Sequence, residues 1–432
     1  MGNFFGIFGI IAILALAFLM SRDKKAIDWK LVGAGLGIQL FIAFFVLKFP
    51  IGRIIFEWIG SLIRKLLEFA DAGGDFVFGV LVSKPEVLDD LFGAGSGFIF
   101  ALKIIPTIIF IAALVNIAYH VGLMQKIVSF MAKIVYKIMG VSGSEALSNV
   151  SSAFVGQVEA QIMIKPYVSG MTMSELLASM AGSMACIAGG VMAVYISLGV
   201  PAEYLLAASL MAAPGALVIS KMVYPETQKS ETRGEIKLEV KKTHANLIDA
   251  IAHGAGDGMR ISINVIAMLI GFIALIAMIN AILGVLGTAM ASVAPILGIT
   301  GIDFADLSLQ SILGNFFSVF AWLMGVPWDE SFTVGSLMGT KMAINEFVAY
   351  LDFVPIISGT SDIALSPKSI VITSFALCGF ANFSSIAIQV GGIGEIAPNR
   401  RADLAKLGLR ALICGTLASY MSAAIAGIIS GF

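Results

Sequence analysis

Charge is what this sequence has least of. Only 13% of its 432 residues are Asp, Glu, Lys or Arg, roughly half the share found in soluble domains. With 58% hydrophobic residues and a mean hydropathy of +0.96, the chain belongs in lipid. The charges nearly cancel, 27 Lys and Arg against 28 Asp and Glu, so no basic excess is available to neutralise a run of phosphates. Nucleic acid is excluded as the main partner. Cysteine is scarce too: Cys186, Cys378 and Cys414 sit in apolar stretches without the paired spacing of a zinc or thioredoxin motif. They read as small buried hydrophobes, with neither a disulfide framework nor a metal site implied. The His-Glu-x-x-His, Gly-x-Ser-x-Gly and paired-aspartate patterns of membrane hydrolases are missing, so no enzyme activity and no cofactor is expected. The three histidines, His120, His244 and His253, fall at span ends or in a charged linker and read as interfacial or solvated.

What the sequence does have is a series of long apolar runs. About 20 apolar residues cross a hydrocarbon core of about 30 Å as a helix, because every backbone polar group must be satisfied within the segment. Eight runs qualify, at approximately 3–20, 31–49, 97–119, 175–199, 202–223, 260–285, 368–393 and 407–430. The first ends in Ser21-Arg22-Asp23-Lys24-Lys25 without a small-residue cleavage site, so it reads as a membrane helix and not a removable signal. Lys and Arg concentrate after the first run (Arg22, Lys24, Lys25, Lys30), after the fifth (Lys229, Arg233, Lys237, Lys241, Lys242) and before the eighth (Arg400, Arg401, Lys406, Arg410). Because positive loops stay in the cytoplasm, both termini are expected outside, on the periplasmic face of a bacterial inner membrane. Arg53, Arg64 and Lys65 run against this pattern and are offset by Glu57 and Glu68. The segments 52–70 and 123–139 interleave charges with apolar residues at helical spacing and suit helices lying in the interface. Leu309 to Gly325 is uncharged but short, and is assigned as interfacial because a ninth crossing would reverse everything after it.

Two stretches, 142–171 and 329–353, are mostly apolar yet carry carboxylates and amides in their middle. These are Gln157 and Glu159 in the first, Asn345 and Glu346 in the second. A carboxylate at that depth is costly unless it faces a cavity or a partner, and short re-entrant helical hairpins explain the pattern. Each hairpin is preceded by an interfacial helix (123–139; 303–324) and followed by a Gly/Ser-rich span and one further apolar span. The charge count starts one unit inside and the other outside. The fold class expected is therefore an all-α polytopic membrane protein with eight transmembrane helices and two re-entrant hairpins in inverted repeats. In secondary transporters such repeats place broken helices at mid-membrane, where freed backbone groups bind substrate and ion.

At the hairpins the sequence resembles a known family. Val155-Gly156-Gln157-Val158-Glu159-Ala160, Ile164-Lys165-Pro166-Tyr167, Ala188-Gly189-Gly190-Val191, Asn345-Glu346-Phe347-Val348-Ala349-Tyr350 and Gly379-Phe380-Ala381-Asn382-Phe383-Ser384-Ser385-Ile386 all resemble bacterial concentrative nucleoside transporters, in order, over nearly the whole chain. The resemblance implies a cation-coupled nucleoside symporter, a homotrimer working by elevator-like alternating access. It implies scaffold parts at 1–122 and 225–300, the latter including the cytoplasmic linker, and a transport domain from repeats 123–224 and 301–432. Carried over by motif, Gln157 and Glu159 would hydrogen-bond the nucleobase with Val191 packed against it. Glu346, Asn382 and Ser385 would hold the ribose hydroxyls, with Phe380 beside the sugar. Val158 stands where relatives often have Thr or Ser, so base preference does not carry over.

The sodium site of such proteins uses an Asn side chain, a Ser or Thr hydroxyl and backbone carbonyls. Here Ser152 replaces the Asn and Cys186 the hydroxyl, leaving the carbonyls of Val155 and Ile187. A thiol is a poor ligand for a hard cation, so proton coupling is expected over sodium, with Glu346 or Glu159 as the titrating group. Alternative readings pair Glu159 with Lys165 and Glu346 with Lys341 structurally, or make Asn382, Ser384 and Ser385 interhelical hydrogen-bond links. A carrier of the same architecture for free nucleobases, or a channel, are the competing functions.

Overall fold

A chain in lipid must close its backbone hydrogen bonds within each segment, and the computed structural model, which describes residues 5–93, 99–233, 244–293 and 307–431, has helices and no strands among those residues. The order is α1 (Phe5–Leu19), α2 (Trp29–Leu47), α3 (Pro50–Phe78), α4 (Val80–Ser83), α5 (Pro85–Phe92), α6 (Phe100–His120) and α7 (Leu123–Met139). There follow α8 (Gly143–Ser152), α9 (Glu159–Ile162), α10 (Lys165–Val168), α11 (Met173–Ala185), α12 (Gly189–Ser197) and α13 (Ala202–Val223). The second half comprises α14 (Leu247–Val293), α15 (Leu309–Leu323), α16 (Trp328–Ala343), α17 (Glu346–Ser358), α18 (Pro367–Leu377), α19 (Phe383–Ile396) and α20 (Arg401–Ser430).

The same order occurs twice: α7 to α13 and α15 to α20 each run helix, hairpin, broken span, continuous span. Each of the eight expected spans has its helix or helix pair. The fourth is interrupted between Ala185 and Gly189, the seventh between Leu377 and Phe383, and the sixth is extended to 47 residues. Six helices or near-continuous pairs among the described residues are long and apolar enough to cross a bilayer; α1, α18 and α19 are shorter apolar helices. The interfacial segment expected at 52–70 is part of a single 29-residue helix, α3, that buries Gly52, Phe56, Gly60, Leu67, Ala70 and Gly74 along one face. α15 and α16 are bent by 120° across Met324–Pro327, so Leu309 to Gly325 and the helix after it do not form one straight ninth span. The beginning of the 303–324 segment lies outside the described residues, as do Lys237, Lys241 and Lys242.

α11, α13 and α20 are buried on nearly every face and form the centre. Small residues permit it: a Cβ on Gly415 of α20 would stand 2.9 Å from Met184 Cβ and 3.1 Å from the Ala181 carbonyl of α11, the close approach typical of membrane helix pairs. Gln39 of α2, fully buried, donates to Met211 O of α13 and to Ser422 Oγ of α20, both at 3.0 Å. α6 and α14 pair at the periphery, and α14 leaves Ile263, Ile270, Ile273, Ile282 and Val285 exposed.

Candidate functional site: four chain breaks meeting in the core

The site is built from places where helices stop. α11 ends at Cys186, whose backbone is extended, and α12 restarts at Gly189 with no side-chain cap. Gly189 and Gly190 are poor helix formers, and the Gly189 N–H turns away to the Phe154 carbonyl of the first hairpin at 3.0 Å. α18 ends at Leu377 and α19 restarts at Phe383, capped by Asn382. Between them Gly379 has φ +110°, and a Cβ there would lie 2.3 Å from Ala185 O, so only glycine fits at this crossing. The Phe380 N–H donates to Cys186 O at 3.2 Å, tying one broken span to the other.

In the second hairpin only Ile344 and Asn345 separate α16 from α17. Asn345 caps α17 by accepting the Val348 N–H at 2.9 Å, which puts Glu346 at the first helical position, where the positive end of the helix dipole favours a carboxylate. The first hairpin differs from expectation in its second arm. This arm is two short helices, α9 and α10, because Pro166 lacks an N–H and disfavours helical backbone just before it.

These breaks bring the second-repeat residues together. Glu346 is buried; its Oε2 accepts from Asn382 Nδ2 at 3.1 Å and its Oε1 from the Tyr195 hydroxyl at 3.3 Å. Asn382 caps α19, its Oδ1 accepting the Ser385 N–H at 3.0 Å and the Ser384 hydroxyl at 2.7 Å. The Ser385 hydroxyl donates to Phe380 O at 2.5 Å and accepts from Gln157 Nε2 at 3.4 Å. Gln389 Nε2 then donates to Gln157 Oε1 at 3.3 Å and to Met180 O at 3.2 Å. A continuous polar chain thus runs Tyr195–Glu346–Asn382–Ser385–Gln157–Gln389, drawing on both hairpins and both broken spans. Tyr195 packs on Tyr350 with ring centroids 4.4 Å apart and on Phe347 at 5.4 Å. Asn382 and Ser384 also carry the local capping role that the alternative reading gave them.

Two participants escaped the sequence reading. Tyr195 follows Val191 by four residues on α12, and Gln389 follows Ser385 by four on α19, so helical spacing alone aims each at the same site. Lys341 is, in the alternative reading, a structural partner of Glu346. It does not pair with Glu346 by contact. Its fully buried ammonium donates to Ala376 O at 2.9 Å and Cys378 O at 3.1 Å, satisfying carbonyls left open where α18 stops. Glu159 is exposed, makes no ion pair with Lys165, and its carboxylate lies over Gly156, where a Cβ would be 2.0 Å from Oε2. Val191 and Phe380 are half-buried at the restart of α12 and in the α18–α19 break.

The cation-site positions are tightly packed. The Ser152 hydroxyl donates to Ser148 O at 2.8 Å and lies 2.9 Å from Ser183 Oγ. Ser183 accepts from Gln161 Nε2 at 2.7 Å, and Gln161 Oε1 accepts from Ser179 at 2.6 Å. The Cys186 thiol points to Ser209 O at 3.8 Å. Val155 and Ile187 are also buried.

Comparison with known proteins sets the chain among nucleoside transporters. Models described as "Na+ dependent nucleoside transporter" match residues 8–81 (N-terminus) and 204–427 (C-terminus), and one described as "Nucleoside recognition" matches 101–202. The uncharacterized transporter YutK of Bacillus subtilis is 43% identical over 99% of this chain and 100% of its own length. The nucleoside permease NupC of Helicobacter pylori is 36% identical over 99% and 98%. Human sodium/nucleoside cotransporter 1 is 38% identical over 98% of this chain, which spans 63% of that protein. CNTnw in an inward-facing substrate-bound state superposes with a TM-score of 0.90 at 42% identity, covering 100% of this chain and 98% of that one. A CNTnw variant in an outward-facing state gives 0.91 at 41% identity with the same coverage. The chain is a multi-pass membrane protein of a family of transporters and not of enzymes: it belongs to the concentrative nucleoside transporter family.

Proposed function

We propose that the chain is a secondary active symporter that imports nucleosides across a bacterial inner membrane, with both termini on the outer face. The observation that carries this reading is the polar chain from Tyr195 to Gln389. It joins a carboxylate, an amide and a hydroxyl suited to ribose to a pair of glutamines suited to a base edge, beside the half-buried Val191 and Phe380. A nucleoside has this composition, a flat apolar face with amide-like edges and a hydroxylated sugar. Gln389 Oε1 is buried without a hydrogen-bond partner, an acceptor suited to a base N–H. In this reading Glu346, Asn382 and Ser385 hold the ribose, Gln157 and Glu159 face the base, and both hairpins are re-entrant.

The coupling ion in this reading is the proton. Ser152 and Ser183 turn their hydroxyls to each other and to protein partners, and a thiol stands where a hard ion would want oxygen. Glu346, sheltered in the core, is the carboxylate placed to carry the proton together with substrate. Transport proceeds by an elevator-like movement of the two repeats against a scaffold of residues 1–122 and 225–300. The long exposed apolar face of α14 is where copies of the chain meet in a homotrimer. The test is uptake into proteoliposomes with competing nucleosides and free bases, under an imposed pH gradient in sodium-free buffer and, separately, under a sodium gradient at symmetric pH. Competition by bases as strong as by nucleosides would overturn the substrate class. Accumulation only with sodium would overturn the coupling, and failure to exchange preloaded substrate would indicate a channel.

A further inference from the structure

The chain has three histidines in 432 residues, and the fold gathers all three at one end of the α6–α14 seam. That seam is unusually close. A Cβ on Gly254 would lie 2.7 Å from Ala113 Cα, and one on Gly258 2.6 Å from Ile109 Cα, so α14 rests directly on α6. The contact sets the last turn of α6, with Asn116 and His120, against the start of α14. There the ring of His244 is 5.1 Å from that of His253 and 6.4 Å from that of His120.

We propose that His244, Asp249 and His253 form a binding site for a divalent transition-metal ion of the zinc class, independent of the nucleoside site. One ligand atom from each of the three lies within 4.8 Å of the others. Asp249 and His253 are four residues apart on one helix and so share a face. The orientation of His244 is fixed from behind: Asn116 Nδ2 donates to Ala112 O at 3.0 Å, which leaves Asn116 Oδ1 to accept from His244 Nε2 at 3.2 Å. In the neutral ring this puts the imidazole proton on Nε2 and leaves Nδ1 with a lone pair. That nitrogen is buried with no hydrogen-bond partner and faces Asp249 Oδ2 at 3.9 Å. A bare lone pair opposite a carboxylate is an arrangement that a cation between them stabilises. A hydrogen-bonded outer partner of this kind is what sets the tautomer of metal-ligating histidines. Asp249 is held as well, its Oδ2 accepting the Ala245 N–H at 2.9 Å.

Metal–ligand bonds of about 2.0–2.2 Å put tetrahedral ligand atoms about 3.4 Å apart, so the three close on an ion by shifts of about 1 Å, which the exposed His253 side chain can make. His120, whose Nδ1 is also buried without a partner, or water completes the shell. Two imidazoles and one carboxylate select zinc, copper or nickel over the all-oxygen magnesium and calcium. An ion there pins His244, the end of the charged linker that leads out of the first repeat, onto the α6–α14 seam.

The test uses the full-length chain, free of any histidine tag, purified in detergent and treated with chelator. Titration with Co2+ is expected to give one saturable equivalent per chain with visible absorption of low-symmetry coordination, displaced by Zn2+. His244→Ala, Asp249→Asn and His253→Ala each weaken Zn2+ binding at least about tenfold, and Asn116→Ala, which touches no metal, weakens it about 10- to 100-fold. The readout is binding of the metal alone, so it stands or falls separately from the nucleoside assignment. Absence of a saturable equivalent in the wild type, or unchanged Zn2+ affinity in a His244→Ala/His253→Ala double variant, would overturn the proposal.

Discussion

Glu346→Gln is the sharpest perturbation of the proposed site. The carboxylate is only 5% exposed and accepts two hydrogen bonds, from Tyr195 and Asn382. Glutamine preserves the shape but offers one acceptor and one donor, so with its oxygen kept on the Asn382 amide its N–H faces the Tyr195 hydroxyl, which can accept it but loses the acceptor for its own proton. Hydrogen bonds to a charged group contribute about 1.5–3 kcal/mol each. A ribose hydroxyl that donates to the same carboxylate loses a bond of that size, which is about 10- to 150-fold in dissociation constant. The cap of α19 is coupled to this contact, because the same Asn382 amide that donates through Nδ2 to Glu346 accepts the Ser385 N–H at Oδ1. Calorimetric titration of purified wild type and variant with a nucleoside reads this directly, and gel filtration confirms that the variant inserts and assembles. A wild-type dissociation constant in a well-assembled Glu346→Gln protein would refute the ribose assignment.

Other outcomes follow from the same geometry. Asn382→Ala is expected to weaken nucleoside binding at least as much as Glu346→Gln, since it removes a partner of Glu346 and the cap of α19 together. Gln157→Ala should reorder preference among bases at constant ribose while leaving the ranking of sugars at constant base unchanged; a competition panel with the opposite result would reverse the roles of the two hairpins. Lys341→Met strands the Ala376 carbonyl at the end of α18, while the Cys378 carbonyl keeps the Ser419 hydroxyl at 3.1 Å, and should lower unfolding stability by about 1–3 kcal/mol, measured by thermal denaturation in detergent. A Ser152→Asn/Cys186→Ser double variant should gain sodium-stimulated uptake in proteoliposomes; no gain would mean that these two positions do not carry the difference in coupling.

Much of the architecture was written in linear order. Hydropathy is a local property, so the eight apolar runs could be counted and all but the sixth bounded to within about six residues. The polar interruptions at Gln157 to Glu159 and at Asn345-Glu346 marked the hairpin tips because a carboxylate at that depth needs a reason to be there. Residues that cap a helix are legible for the same cause: Asn345 and Asn382 stand immediately before the helices they start.

What distance in sequence hides is which breaks touch. Nothing local says that Gly379 must pass against Ala185, that Gln389 reaches back 232 residues to Gln157, or that the Lys341 ammonium belongs to the α18 carbonyls and not to Glu346. The length of α14 and the union of three scattered histidines beside α6 were equally invisible, because both depend on a close helix crossing that only the glycines at 254 and 258 permit once packed. The sequence by itself determined the number, order and polarity pattern of the helices, since each segment must satisfy its own backbone in lipid. The tertiary structure decided the pairing of their interruptions, since those freed backbone and side-chain groups find partners only across the interface between the two repeats.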